Sequence, residues 1–243
     1  MALPKSSAGT SAKRRYRSLR AAGRARRWLT RLAIAVVAAV AVGWLWTEWA
    51  GLIAAGLAVL GDLVRHRRAH SPAAAWRKGA AGERATARRL RALELAGYIV
   101  LHDRALPHSR ANVDHLVIGP AGVFVIDSKK WHRRTTIRAA AGTLWAGKIP
   151  LEHVVRPVIA EARQVSRELT RALGRPIDAV PVVAVHGARL PRWRVITVRG
   201  VPVMRASRLR RWIAGRARGG RQDETAVLAA AASNAFPPYV ESD

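Results

Sequence analysis

The sequence predicts an α/β domain, a mixed sheet flanked by helices with the core order α-β-β-β-α-β, preceded by one long transmembrane helix or a helical hairpin. Three observations carry this expectation. Residues 32–61 form a stretch of 30 positions whose only charged member is Glu48. Two runs of strongly β-prone residues flank Gly119-Pro120-Ala121-Gly122, which reads as a hairpin. Beyond it, Val158, Ala162, Val165, Leu169 and Ala172 recur at the spacing of one helical stripe, and the wholly apolar run 180–185 follows as a strand buried on both faces.

The 243 residues allow one domain of ordinary size with appendages, or two small ones. Half of them are apolar, which excludes a wholly disordered chain. The absence of cysteine excludes a disulfide scaffold, a thiolate zinc site, an iron–sulfur cluster and a cysteine nucleophile. With 43 Lys and Arg against 15 Asp and Glu, the formal charge of +28 calls for a polyanionic partner, nucleic acid or an anionic membrane surface.

The elements follow in order. Residues 1–31 hold ten Lys and Arg and no acid, and read as a mostly disordered arm lying on anionic lipid or nucleic acid. Residues 32–64 are the membrane segment, since about 20 apolar residues suffice for a crossing. Thirty residues rise about 45 Å as one helix, longer than a hydrocarbon core of about 30 Å. The alternative is a hairpin turning at Trp46-Thr47-Glu48-Trp49. Basic residues on both flanks favour the hairpin, with both ends cytoplasmic, whereas each of its arms is short for a full crossing. After a linker at 65–73, an Ala/Arg-rich helix runs from 74 to 96 and closes at Gly97. Strands are predicted at 98–102, 113–118, 123–129, 135–138 and 143–145, then a helix at 157–173 and the strand at 180–185, with Pro181 at its start. Residues 74–190 form the main domain, and 191–243 add a strand and helices, the helices near 207–214 and 223–232. From residue 66 onward the chain carries 32 Lys and Arg against 13 Asp and Glu, a net +19.

The chemistry concentrates on the hairpin. If its loop closes symmetrically, Ile118 pairs with Val123 and Asp114 falls opposite Asp127, their Cβ atoms about 5 Å apart. Lys129, two residues on, shares their face. Facing carboxylates repel, and a divalent hard cation removes the repulsion; Mg²⁺ binds through one or two carboxylates plus phosphate oxygens. Glu83 lies on the apolar stripe of the first helix with Thr86, Leu90 and Leu93, where a carboxylate is costly unless paired or metal-bound. His102, His115 and His132 lack zinc-ligand spacing, and His115 points away from Asp114 into core or surface. Trp131 and Trp145 read as core or sheet-edge cover.

Lys78-Gly-Ala-Ala-Gly-Glu83, Leu101-His-Asp103, Asn112-Val-Asp-His115, Gly119-Pro-Ala-Gly-Val-Phe-Val-Ile-Asp-Ser-Lys129 and Trp131 together resemble the NERD (nuclease-related) domain family, over residues 76–170. That family is grouped with the PD-(D/E)xK, restriction-endonuclease-like nucleases. The resemblance implies a restriction-endonuclease-like mixed sheet and Mg²⁺-dependent (or Mn²⁺-dependent) phosphodiester hydrolysis. It makes Asp114 and Asp127 metal-binding acids, Lys129 the motif lysine, and Glu83 the acid from the first helix and a third metal ligand. Related domains often place a Gln in the helix after the sheet. Here Gln164 lies about 120° off the centre of the apolar stripe and is not carried over, while Glu161 is nearer the face.

Three functions compete on these grounds. The first is a membrane-anchored nuclease acting on DNA without strong sequence specificity, its domain facing the cytoplasm and Arg84, Arg88, Arg133 and Arg134 holding the backbone. The second is an inactive nucleic-acid tether or sensor, which would have no need of a carboxylate pair. The third is a basic protein of the lipid surface, which explains residues 1–31 and leaves the hairpin unexplained.

Overall fold

The computed structural model describes residues 10–68, 72–109, 111–140, 143–190, 195–217 and 222–240. The chain divides into two compact units, one of residues 12–77 and one built on residues 78–243.

The first unit is a helical hairpin. Helix α1 (Thr10–Leu45) and helix α2 (Glu48–Arg68) are joined at Trp46-Thr47, where the Thr47 hydroxyl accepts the amide of Ala50 and so caps α2. The two run antiparallel in backbone contact: a Cβ on Gly51 would lie 2.5 Å from the carbonyl oxygen of Ala39. At the far end of the hairpin, Arg31 Nε donates to Asp62 Oδ2 at 3.2 Å and Arg65 takes the other carboxylate oxygen at 3.1 Å. Among the described residues one stretch, Trp28–Leu45, is long and apolar enough to cross a membrane. The basic arm is corrected in part. From Thr10 onward it is helical and continuous with the apolar segment, as a Pro-free run rich in Ala, Arg and Leu permits; residues 1–9 lie outside the described residues.

The second unit opens with helix α3 (Pro72–Glu94), whose first residues lie in the other unit, and then strands β1 (Ile99–Ala105), β2 (Asn112–Gly119) and β3 (Gly122–Lys130). A small separate sheet of β4 (Ile137–Ala140), β5 (Thr143–Ala146) and β6 (Ile149–Pro150) leads into helix α4 (Leu151–Leu173). Strands β7 (Ala179–His186), β8 (Ile196–Val198) and β9 (Val201–Arg205) and helices α5 (Leu209–Ala214) and α6 (Gln222–Ala235) complete it. The main sheet has the order β1-β2-β3-β7-β9-β8. It begins as an antiparallel meander, turns parallel from β3 through β7 to β9, and ends on antiparallel β8. This is the mixed sheet flanked by helices that the sequence predicts.

The two faces follow the period of two along each strand. Leu116, Ile118, Val123 and Val125 pack against α4 and α6, whereas Val117, Phe124 and Ile126 pack against Leu90 and Leu93 of α3 and Leu209 and Ile213 of α5. β7 is buried on both faces from Val182 to Val185 because it lies between β3 and β9 beneath helices on either side. Three expectations are adjusted. The hairpin loop is tighter than four residues, since Gly119 and Gly122 pair and leave only Pro120-Ala121 as the turn. Helix α4 starts at Leu151 rather than at 157, with exposed Pro157 inside its second turn. β6 was not expected, and where the sequence predicts one strand within 191–243 the structure has two, β8 and β9, divided by the Arg199-Gly200 turn.

Candidate functional site

The β2–β3 ladder pairs Ile118 with Val123 and runs out to His115 opposite Ile126. The expected register therefore holds, and Asp114 and Asp127 stand where the ladder ends. There the side chain of Asp114 replaces a strand carbonyl: its Oδ2 accepts the Ser128 amide at 2.8 Å. Lys129 Nζ donates to Asp127 Oδ1 at 2.8 Å. Asp127 is 8% exposed, and its Oδ2 is buried without a hydrogen-bond partner. A buried carboxylate oxygen left open in this way is expensive, so this one marks a place where something positive belongs.

Glu83 reaches the same pocket from α3. Gly82 beside it brings the helix down on β3, where an added Cβ would lie 3.0 Å from Lys130 Cβ. Burial, then the neighbouring carboxylates of Asp103 and Asp127, push Glu83 up to about 7. Desolvation, then Asp127 and Glu83, hold Asp114 well above the ordinary carboxylate range. Burial works against the Lys129 ammonium, yet Asp127, Asp114 and Glu161 outweigh it and raise its affinity for the proton. The structure thus brings together all four residues singled out in the sequence: Glu83, Asp114, Asp127 and Lys129.

Two further acids belong here. Glu161 of α4 is pushed up to about 7 by burial and by Asp127. Its signal in the sequence was a position beside the stripe of Val158, Ala162 and Val165. Asp103 is 1% exposed and has a φ of +51°, unusual for a residue with a side chain. Asn112 donates to its carboxylate at 2.8 Å, and the Tyr239 amide takes its carbonyl at 2.9 Å. Gln164 points elsewhere and donates to the carbonyl of Pro107.

Behind the acids, on the α3 side of the sheet, runs a chain of buried hydrogen bonds. The Ser128 hydroxyl donates to Thr86 Oγ1 at 2.8 Å, and its oxygen meets His115 Nε2 at 3.1 Å. His115 Nδ1 meets His102 Nδ1 at 2.8 Å, and Thr86 Oγ1 meets His186 Nε2 at 2.8 Å. With Ser128 donating to Thr86, one direction of donation satisfies every link, from His102 through His115, Ser128 and Thr86 to His186, with all three imidazoles neutral. Burial lowers the proton affinity of all three, His102 and His186 to about 4. His115 is thus a core residue facing away from Asp114.

The donor set suits a hard divalent cation: oxygen ligands only, one of them open on Asp127. Among the described residues no three His, Asp or Glu side chains close into a metal cluster by themselves. A cation there would complete its shell from water and phosphate, as Mg²⁺ commonly does.

A mixed sheet flanked by helices, with two acids and a lysine where a central hairpin parts, has the architecture of the restriction-endonuclease-like fold. Residues 78–187 match the family model of NERD, the nuclease-related domain. The match spans every acid of the site and every member of the buried polar chain. No curated protein and no solved structure matches the chain.

Proposed function

We propose that the protein is a membrane-anchored, Mg²⁺- or Mn²⁺-dependent nuclease that hydrolyses phosphodiester bonds of nucleic acid, principally DNA, without strong sequence specificity. The observation that supports this best is Asp127, buried beside a second acid, with one oxygen held by Lys129 and the other open. Asp114 and Asp127 would hold the metal, with Glu83 on a third side of the pocket. Bound there, a divalent ion supplies Lewis-acid charge for the phosphoryl oxygen and acidifies a water. Lys129 Nζ, already oriented by Asp127, lies ready to stabilise negative charge growing on the phosphate. Glu161, with a proton affinity near neutrality, takes the proton released by the attacking water at its carboxylate. Exposed Arg84, Arg88, Arg133 and Arg134 hold the backbone, so affinity falls steeply with salt. Trp28–Leu45 anchors the chain in the cell membrane, the basic residues preceding it lie on anionic lipid, and the nuclease-related domain faces the cytoplasm.

The test is cleavage of supercoiled plasmid and of single-stranded DNA by the full chain in detergent, with Mg²⁺, Mn²⁺ or EDTA. Metal-dependent cutting is expected, and Asp127→Ala and Lys129→Ala should each lower it by about 10²-fold or more. Undiminished cutting by Asp127→Ala would remove the hairpin from the mechanism. DNA binding without cutting, in the parent chain and the variants alike, would make the protein a tether on nucleic acid.

A further inference from the structure

Helix α4 has two working flanks. Glu161 faces the acids, whereas Ile159, Arg163 and Ser166 lie about 140–160° around the helix from it. On that second flank lies a cleft of about 670 Å³, bounded by α4, the start of β7 and the turn between β8 and β9. Its volume is that of a small-molecule site. Its lining is divided: Ile159, Pro181 and Val201 give an apolar surface, and Arg156, Arg163 and Arg199 give a basic one, with Asp178 as the acid among the described lining residues.

The arginines are not a casual scatter of surface charge. A single oxygen, Glu152 Oε1, accepts from Arg156 at 3.0 Å and also from Arg199, which fixes two guanidinium groups side by side. Arg199 sits at a φ of +50°, a strained conformation for a residue with a side chain. Arg163 forms no ion pair among the described residues. Two cations held together by one carboxylate, with a third uncommitted, make a ready-made anion site beside an apolar wall. Arg199, Gly200 and Val201 lie beyond residue 187, so one wall of the cleft is supplied by residues outside the stretch that matches the family.

We propose that this cleft is a second nucleotide-binding site, its apolar wall taking a base and its arginines the attached phosphate. That unit comes from one of two sources: a free nucleoside 5′-monophosphate, or the nucleic-acid strand continuing past the catalytic acids. The second source rests on the nuclease reading above. The first stands without it.

Binding is measured on the full chain in detergent, in EDTA so that nothing is cut, and in an Asp127→Ala background. The probes are thymidine 5′-monophosphate, thymidine, inorganic phosphate and a fluorescent single-stranded 20-mer. The monophosphate should bind more tightly than thymidine or phosphate alone, and Arg163→Glu and Arg199→Glu should each weaken it by about tenfold or more. Melting curves check that these exposed substitutions leave the fold intact. A matching loss of 20-mer affinity identifies the strand as the source; an unchanged 20-mer affinity identifies the free nucleotide. The proposal is overturned if both variants bind monophosphate and 20-mer as the parent does, or if the parent binds the monophosphate no better than phosphate. Because no arm depends on cutting, an inactive protein would defeat the nuclease reading and leave this result standing.

Discussion

Each of the three aspartates of the site has a polar partner of the buried chain as its immediate neighbour: His102 precedes Asp103, His115 follows Asp114, and Ser128 separates Asp127 from Lys129. On α3, Thr86 stands one turn beyond Glu83. Since neighbours on a strand face opposite ways, the chain forms a second row directly behind the first. Ser128→Ala would strand Thr86 and His115, at a cost of about 1–3 kcal/mol by thermal melting. It should also lower kcat more than it raises KM, while Thr86→Ser, which keeps the hydroxyl, stays close to the parent in both. Equal effects of the two variants on kcat would leave the chain a purely structural role. The carboxyls predict a pH effect of definite sign. Glu83 and Glu161 in the folded protein hold their protons up to about 7, whereas the unfolded chain gives them up near 4.5. Their contribution to stability is therefore full below about 4.5 and lost as pH rises through 7. His102 and His186, lowered to about 4, act in the opposite sense: the unfolded chain takes up protons below 6.5 that the folded chain refuses. The net curve mixes the two, so the useful quantity is a difference. In EDTA, Glu83→Gln should melt above the parent at pH 8, and the gap should close toward pH 5; a gap independent of pH would contradict the burial of a charge at Glu83. Asp114, Asp127 and Lys129 were legible because a period of two and a symmetric loop determine their face. Glu161 was visible only as an acid at the edge of a stripe, and nothing local in the sequence announces the positive φ of Asp103.

At the scale of the element, the hairpin holds its register through one close approach. Gly119 pairs with Gly122 at the turn, and Tyr98, itself 5% exposed, lies against it: a Cβ at Gly119 would sit 2.1 Å from Tyr98 Cδ1. Gly119→Ala must push aside a buried ring, so a cost of about 1–3 kcal/mol is expected, each kcal/mol lowering Tm by about 2–4 °C in a protein of this size. The clash is specific, and in a Tyr98→Ala background the same substitution should cost markedly less. Additive losses would show that Gly119 is needed for some other reason. The elements that sequence located well are those with a sustained period: the alternation of β2 and β3, the stripe of α4 and the apolar run of β7. Those it misplaced lack one. β8 and β9 are a single Val-rich stretch cut by Arg199-Gly200, and the first turns of α4 hide behind Pro157, whose ring reads as a start signal although exposure on the helix surface lets it sit inside.

At the scale of the whole molecule, the undecided matter in the sequence was one span or two, because the apolar run is continuous and its turn carries neither Gly nor Pro. The structure contains the turn, with Gly51 packed against Ala39 and Arg31 paired with Asp62 at the opposite end of the hairpin. Trp44, Trp46 and Trp49 crowd the turn end and are more than three-quarters exposed, as expected of side chains seeking a membrane interface. From Arg31 to Trp46 the chain rises about 22 Å, short of a hydrocarbon core of about 30 Å, so a bilayer crossed by this hairpin would have to thin, or the flanking arginines would have to snorkel to meet it. The antiparallel hairpin brings its two ends together, so they would emerge on one side of such a bilayer. The chain has no cysteine, so single reporters can be introduced without background at Ser11, Thr47 and Ser207. A membrane-impermeant maleimide applied to intact cells should leave Ser11→Cys and Ser207→Cys unlabelled and should label both once the membrane is permeabilised, with the basic flanks kept inside. Labelling of Ser11→Cys and Ser207→Cys from opposite sides would mean that the apolar segment crosses once and that the hairpin opens in the bilayer. It would also move either the basic arm or the nuclease-related domain away from cytoplasmic nucleic acid.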